Sequence, residues 1–421
     1  MNFSNLNFGQ NIKNFINYIF DETDEIYKSV KSLQKRKRKC NVGNIFSVMI
    51  ASSFGDNCEA NFRDHYNSNK DLSSSSMSYW RSKIYNIDFN NNLHNFAVDN
   101  NIINASHDVQ KYHHLYDKFN ILAGDGTRTK TSMRNKNETD KNIATINTVY
   151  IYDILHKTFR DHKIAYDNNE HTGLLEHDLS KRDLIILDRY YSSYELMNTL
   201  KSYTNFIIRL KSTLIITKEF MKENKNSKVI VHNNTRLKLI KYRIDKNTHD
   251  IILDKYKKDN DVSEEDLSEY FVLATNVIKL TENECIYLYK KRWSIEVAFK
   301  QLKQHYRIRY VCKHLTSKNP LIKCEFWYKC SIMMYNMASI LKNLIDSEKN
   351  INCKFSDCAR TIRSILSGKL NMKEINIEFN FIIRNKSHKR GKNKINKRKE
   401  SKRGVYKSVS TINKINKESI D

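Results

Sequence analysis

The sequence predicts an α/β protein, on three observations. Apolar residues recur at helical spacing near the N terminus (Phe8, Ile12, Phe15, Ile16, Ile19, Ile26, Tyr27, Val30) and again over 320–347. From about residue 117 the texture changes to short runs rich in Ile, Val, Leu and Tyr, separated by polar turns, which read as strands. Residues 281–305, TENECIYLYKKRWSIEVAFKQLKQH, then read as one long helix.

In chain order, the helix over 8–33 is followed by the basic run KRKRK at 35–39, a second apolar helix near 42–54, and a polar segment leading to SSSSMSYWRSKI at 73–84. Residues 1–110 are therefore expected to form a helical N-terminal domain with basic edges, suited to contacting DNA. KFNILAG leads into Asp125, TVYIYDIL (148–155) and KTFRDHKIAY (157–166) read as a hairpin, and DLIIL (183–187) leads into Asp188. YSSYELMNTLKSY (191–203) is helical and NFIIRLK (205–211) is a further strand. Residues 212–277 contain SKVIVHN, RLKLIKYRI, DIILDKY and YFVLATNVI, a β-rich insertion ahead of the long helix. In that helix Thr281 can cap the first turn while Glu284 reaches back to close a capping box. The catalytic core is accordingly assigned to 111–211 plus 278–347, and a C-terminal region to 348–421. The stretch from Arg384 to Lys407 holds twelve Lys or Arg and one Glu, a like-charged run expected to be disordered and to contact phosphates without sequence preference.

Composition narrows the function classes. With 73 Lys+Arg against 47 Asp+Glu the formal charge is +26, which favours a polyanionic partner, nucleic acid above all. One Pro, few Gly and abundant Asn, Lys and Ile match an AT-rich coding bias, which accounts for part of the lysine excess. No apolar run approaches the ~20 residues of a membrane span, and the first residues lack the layout of a signal peptide. The expectation is a soluble, intracellular, DNA-associated protein without membrane contact, in a bacterial cytoplasm or a eukaryotic nucleus. The eight cysteines (Cys40, Cys58, Cys285, Cys312, Cys324, Cys330, Cys353, Cys358) include no CxxC pair, so neither a structural zinc site nor a disulfide framework is expected. His113, His114, His171 and His177 suggest no ligand geometry either.

The chemistry concentrates on acidic residues. Asp125, in AGDGTRT, and Asp188, in IILDRYY, fall just past two short apolar strands, where a parallel strand pair would deliver side chains to one place. Gly124 and Gly126 would let the backbone turn tightly beside an ion. In the long helix Tyr289, Arg292, Glu296 and Lys303 fall within roughly 60° of arc, so they share a face. A carboxylate there can hold a cation, while the phenol, guanidinium and ammonium can grip phosphates. Asp125, Asp188 and Glu296 together suit a pair of Mg²⁺ ions roughly 3.5–4 Å apart, with Mn²⁺ as a substitute, acting on a phosphodiester.

AGDGT, LDRYY followed by a helix and FIIRLK, and Tyr289-x2-Arg292-x3-Glu296-x6-Lys303 resemble the bacterial insertion-sequence DDE transposases with a Tyr-Arg-Glu-Lys signature, the insertion-sequence-four group. The likeness extends over roughly residues 30–400, and SSSSMSYWRSKI is similar to the family's N-terminal DNA-binding region. The resemblance implies an RNase H-like catalytic core interrupted by a β-rich insertion, in which Asp125, Asp188 and Glu296 bind catalytic Mg²⁺. It implies that Tyr289, Arg292 and Lys303 contact phosphates near the cleaved element end, and that Arg209 supports this region. It also implies action on double-stranded DNA, both element ends and target, by a homodimer in a synaptic complex, with cleavage and joining of the 3′-hydroxyl ends to target DNA.

Two departures from the family stand out. Tyr190 occupies a position where many members have Gly, and the insertion has no Trp, the three in the chain being Trp80, Trp293 and Trp327. A flipped base would have to stack on Tyr242, Tyr270 or Phe271. Two other classes stay open: a transposase-derived DNA-binding protein without turnover, against which the intact acidic residues count, and an RNase H-like nuclease without strand transfer, against which the insertion and signature helix count.

Overall fold

The computed structural model describes residues 9–31, 90–103, 112–133, 142–165, 169–232, 235–244, 269–305 and 320–366, with isolated positions within 47–53 and 379–383. KRKRK, SSSSMSYWRSKI, DIILDKY and the basic tail lie outside the described residues, as does most of the segment 42–54.

Helix α1 (Gln10–Lys31) and the shorter α2 (Asn90–Asp99) and α3 (His113–Lys118) precede the sheet. Its first three strands are β1 (Asn120–Met133), β2 (Asn142–Asp153) and β3 (Thr158–Ala165), joined as an antiparallel meander. After α4 (Glu170–Leu175) come β4 (Asp183–Leu187), α5 (Tyr194–Tyr203), β5 (Asn205–Arg209) and α6 (Ile215–Lys222). Strands β6 (Ser227–His232), β7 (Thr235–Arg243) and β8 (Tyr270–Thr275) follow, then α7 (Glu282–Lys291), α8 (Trp293–His305), α9 (Pro320–Lys349) and α10 (Phe355–Leu366).

All eight strands form one mixed sheet in the order β3-β2-β1-β4-β5-β8-β7-β6. The β1–β4 and β4–β5 pairs are parallel and the others antiparallel. A mixed α/β architecture of this kind is consistent with the expected RNase H-like core. The strands of 212–277 extend the central sheet through β5–β8 pairing, and the same segment contributes the helix α6, which strand-like reading of the segment did not anticipate.

Helices cover both faces, so the strands obey the period-two rule. Ile121, Ala123, Tyr150, Tyr152, Leu184, Ile186 and Ile207 pack on the side of α8 and α9. Leu122, Val149, Ile151, Ile185, Leu187, Phe206 and Ile208 pack on the opposite side with α4, α5 and α6. DLIIL is buried at all five positions, as a central strand covered on two sides requires.

Helix α9 is the main element of the first layer, with Trp327, Tyr328, Met333 and Met334 buried. Its polar residues fasten the β2–β3 turn. The Asn336 amide donates to Phe159 O and accepts from Phe159 N, both at 2.8 Å, Ser339 Oγ donates to Lys157 O at 2.7 Å, and Asn343 donates to His156 O at 2.9 Å. These bonds satisfy carbonyls beside Lys157, which has a positive φ of 59°.

Two buried clusters beneath this layer make stability depend on pH. Burial opposes ionisation of Asp153, but the His156 and His94 rings outweigh it and hold that carboxyl down at about 2. His162, fully buried beside Tyr150, is pushed down to about 3 by burial. The unfolded chain, with an ordinary histidine value near 6.5, binds a proton that the folded chain refuses between these limits. His162 therefore costs stability as pH falls below about 6.5, by up to ~1.4 kcal/mol per pH unit. Urea midpoints should fall between pH 6.5 and 4, and His162→Phe should flatten that fall; an unchanged slope in the variant would show that His162 is not its source.

Candidate metal and phosphate site

Parallel pairing of β1 with β4 fixes the first two carboxylates. The paired register runs from Asn120↔Asp183 to Ala123↔Ile186, and two residues beyond the last pair on each strand stand Asp125 and Asp188. The expectation that Asp125 lies past the end of its strand is corrected: β1 continues to Met133, because β2 still pairs with it as far as Met133↔Asn142. What ends beside Ala123 is the pairing with β4, so β1 and β4 part at the level of the two aspartates. Nor do the glycines make a turn. Gly124 admits the side chains of Leu187 and Ile185, which a Cβ there would approach to 2.7 and 3.0 Å.

Asp188 caps a short 3₁₀ turn (Arg189–Tyr191), its Oδ1 accepting from Tyr190 N at 2.8 Å, and Asp125 Oδ1 accepts from Gly126 N at 2.9 Å. Burial raises the Asp125 carboxyl to about 7; Asp188 and Glu296 push the same way, while Arg292 and the Gly126 N–H oppose them. The three candidate carboxylates thus act on one another.

The third carboxylate arrives on a helix that is not continuous. Residues 281–305 form α7 and α8, which abut at Arg292, where tight bonds from Arg292 N to Tyr289 O (3.1 Å) and from Ile295 N to Arg292 O (3.0 Å) replace the α-helical pattern. The capping box is present as expected, Glu284 N donating to Thr281 Oγ1 at 3.2 Å and Thr281 N to Glu284 Oε2 at 2.7 Å. The Arg292 side chain, only 12% exposed, spans two of the carboxylates: Nη2 donates to Glu296 Oε1 at 2.5 Å and Nη1 lies 4.0 Å from Asp125 Oδ2. Its buried Nε has no hydrogen-bond partner among the described residues.

The remaining predicted residues divide. Tyr289 is buried, its ring 5.8 Å from the Arg292 guanidinium, and Arg209 acts on it electrostatically. Arg209 stands at the end of β5 with its guanidinium 3.3 Å from the centre of the Phe271 ring. Asp188 acts electrostatically on both Tyr289 and Arg209. Asp125, Asp188, Glu296, Arg292, Tyr289 and Arg209 therefore form one neighbourhood. Lys303 lies further along α8, its Nζ 5.4 Å from the Phe299 ring.

A cavity of about 430 Å³ adjoins this neighbourhood, lined by Arg189, Arg209, Lys218, Lys222, Tyr270 and Phe271 among others. Sequence reading did not find Arg189, Lys218 or Lys222 as lining residues. It also missed Glu170, at the start of α4, whose carboxylate accepts from Tyr191 Oη at 3.4 Å and is raised in pKa mainly by burial.

The donor set suits a hard divalent ion, being three carboxylates and no soft ligand. The Arg292 guanidinium lies between Asp125 and Glu296, and burial is the main cause of the raised Asp125 value. Around that guanidinium no three His, Cys, Asp or Glu side chains among the described residues are close enough to share an ion directly. Asp125, Asp188 and Glu296 are the carboxylates that could hold one.

Comparison with known proteins bears on this arrangement. Residues 115–319, just under half of the chain, match the model of the family described as "Transposase DDE domain". No curated protein matches the chain. Among solved structures, the cryo-EM structure of a piggyBac transposase synaptic complex with hairpin DNA matches 84% of this chain and 78% of its own, at 11% identity and a TM-score of 0.40, a likeness too loose to decide anything about the site. No described helix is long and apolar enough to cross a membrane. All three candidate carboxylates fall inside the span that matches this family model.

Proposed function

We propose that the protein is a DNA transposase of the insertion-sequence-four type, which binds the ends of its mobile element as a homodimer, cleaves them and joins the 3′-hydroxyl ends to target DNA. The observation that carries this reading is the matched register of Asp125 and Asp188 on β1 and β4, with Glu296 brought to them through Arg292. In this reading 1–110 is a DNA-binding domain, 111–211 with 278–347 the catalytic core, 212–277 the β-rich insertion, and 348–421 a basic region adding non-specific grip.

Asp125, Asp188 and Glu296 would hold the Mg²⁺ ions, for which Mn²⁺ could substitute. When bound, these ions activate a water or 3′-hydroxyl and stabilise the leaving oxygen of the phosphodiester. The chain's own residues position the strand. Arg292 presents a planar fork that matches a phosphate as well as a carboxylate, so an incoming phosphate competes with Glu296 and Asp125 for it. Transfer of the guanidinium to phosphate would free both carboxylates for cation binding in the same event.

Tyr289 and Arg209 act on each other behind this fork, and Arg209 also lies over the Phe271 ring, an arrangement that favours a fixed phosphate contact over a mobile one. Lys303 extends the phosphate track along α8. The nearby cavity supports a stacking role for Tyr270, which is 37% exposed and lines it; Phe271 is already covered by Arg209, and Tyr242 is not among the lining residues.

Glu296→Gln keeps size and hydrogen bonding but removes the charge. It should bind the element's ends like wild type and abolish nicking of a supercoiled plasmid carrying them; retained nicking overturns the assignment. Arg292→Ala should weaken end binding by roughly tenfold and Lys303→Ala by less, each lowering the salt slope by about one phosphate contact. Electrophoretic mobility shifts at several salt concentrations measure both, and unchanged affinity and slope would remove these residues from the phosphate track.

A further inference from the structure

The short turn after Asp188 carries two adjacent tyrosines with opposite fates. Tyr191 is fully buried in the core on the α4, α5 and α6 side of the sheet, whereas Tyr190 is 40% exposed. One exposed aromatic residue on a surface needs no explanation in itself, so what counts is how this one is held. Tyr190 N donates to Asp188 Oδ1 at 2.8 Å, and Tyr190 O accepts from His171 Nε2 at 3.0 Å. Both of its backbone polar groups are thus engaged, the first by a candidate metal ligand.

The ring is held as well. His171 meets it edge-on, with centroids 5.3 Å apart and planes at 71°, and Tyr191 does so at 5.7 Å and 86°. His171 also stacks on Tyr191, at 5.6 Å and 29°, so the three rings brace one another. Lys211 adds a cation, its Nζ 5.9 Å from the Tyr190 ring centre, and its backbone N ties it to the same turn by donating to Ser192 Oγ at 3.1 Å. An exposed ring fixed in this way loses little freedom on taking a ligand. The bond to Asp188 keeps the root of the side chain within about 6 Å of that carboxylate. A phosphodiester brought to Asp188 therefore has its neighbouring bases close to a fixed aromatic surface with a cation beside it, the combination that suits an unpaired base and its phosphate.

We propose that Tyr190 is a stacking platform for an unpaired base of the DNA strand whose phosphate is brought to Asp188, with Lys211 taking an adjoining phosphate. Tyr190 is not among the residues lining the cavity that Tyr270 borders, so the two rings serve different bases. The hydroxyl has no part in the contact. The backbone bond to Asp188 survives a change of side chain, so replacing the ring separates stacking from support of the carboxylate. The inference rests on the reading of Asp188 as part of a DNA-cleaving site, and adds to that site a residue that reads a base rather than a phosphate.

The test uses the full-length protein and a single-stranded thymine oligonucleotide carrying iodouracil, which cross-links under long-wave ultraviolet light to aromatic rings that touch it. Mass spectrometry should find an adduct on Tyr190, and absence of an adduct there overturns the proposal. Fluorescence anisotropy, at a salt concentration that weakens the phosphate contacts, supplies the second readout. Tyr190→Leu should bind the thymine oligonucleotide about tenfold more weakly and an abasic oligonucleotide of the same length like wild type, while Tyr190→Phe should stay within twofold of wild type on both. Equal losses on the two oligonucleotides in the Leu variant would show a merely structural role and reject stacking, as would undiminished thymine binding. Retained nicking by Glu296→Gln overturns the cleavage reading instead, and leaves the oligonucleotide measurements, which need no cleavage, to decide Tyr190 by themselves.

Discussion

Like charges gathered in a half-buried crevice must be compensated, and that requirement governs the part of this molecule where its chemistry is expected. Asp125 is raised to about 7 by burial reinforced by its acidic neighbours. Compensation comes from Arg292, which bridges toward Asp125 and Glu296, and from Arg209, on which Asp188 acts. Arg292 reaches two of the three carboxylates and leaves Asp188 to Arg209.

The sheet supplies the rigidity this demands. Hydrogen bonding of β1 on one side to β2 and on the other to β4 fixes the level of both aspartates to the register of a central strand buried on both faces. A slip of one residue would send Asp125 to the other face and destroy the core alternation with it. The helical side is anchored independently. The buried stripe of α7 and α8, including Cys285, Leu288, Ile295, Phe299 and Leu302, packs into the same core as Tyr150 and Phe159. Glu296 is thus positioned by packing, and Arg292 sits where the two helices abut, the point at which the backbone leaves α-helical bonding.

Much of this was legible in the sequence, for local reasons. The capping box at Thr281 and Glu284 is a short-range motif, and DLIIL is apolar throughout because a doubly covered strand must be. The hairpin over 148–166 and the long helix after Pro320 follow from periodicity alone. The features that escaped are tertiary. Nothing in WSIEVAF, which contains neither Gly nor Pro, marks a helix break at Arg292. The far half of β1, GTRTKTSM, shows no apolar alternation, and its pairing with β2 is what extends the strand. Glu170 has no motif around it, and its approach to Gly126 is made across the fold. Gly124 and Gly126 were visible as unusual, but their purpose, close packing against Leu187 and room for Glu170, requires the neighbours to be known.

The central claim is that Asp125, Asp188 and Glu296 share one divalent cation site. Replacing the activating ion with Fe²⁺ and generating hydroxyl radicals with ascorbate and peroxide cuts the protein backbone next to the bound metal, and mass spectrometry locates the cuts. The account predicts cleavage confined to the chain around Asp125, Asp188 and Glu296, suppressed by excess Mg²⁺. Cuts clustered elsewhere, or a pattern indifferent to Mg²⁺, would contradict it.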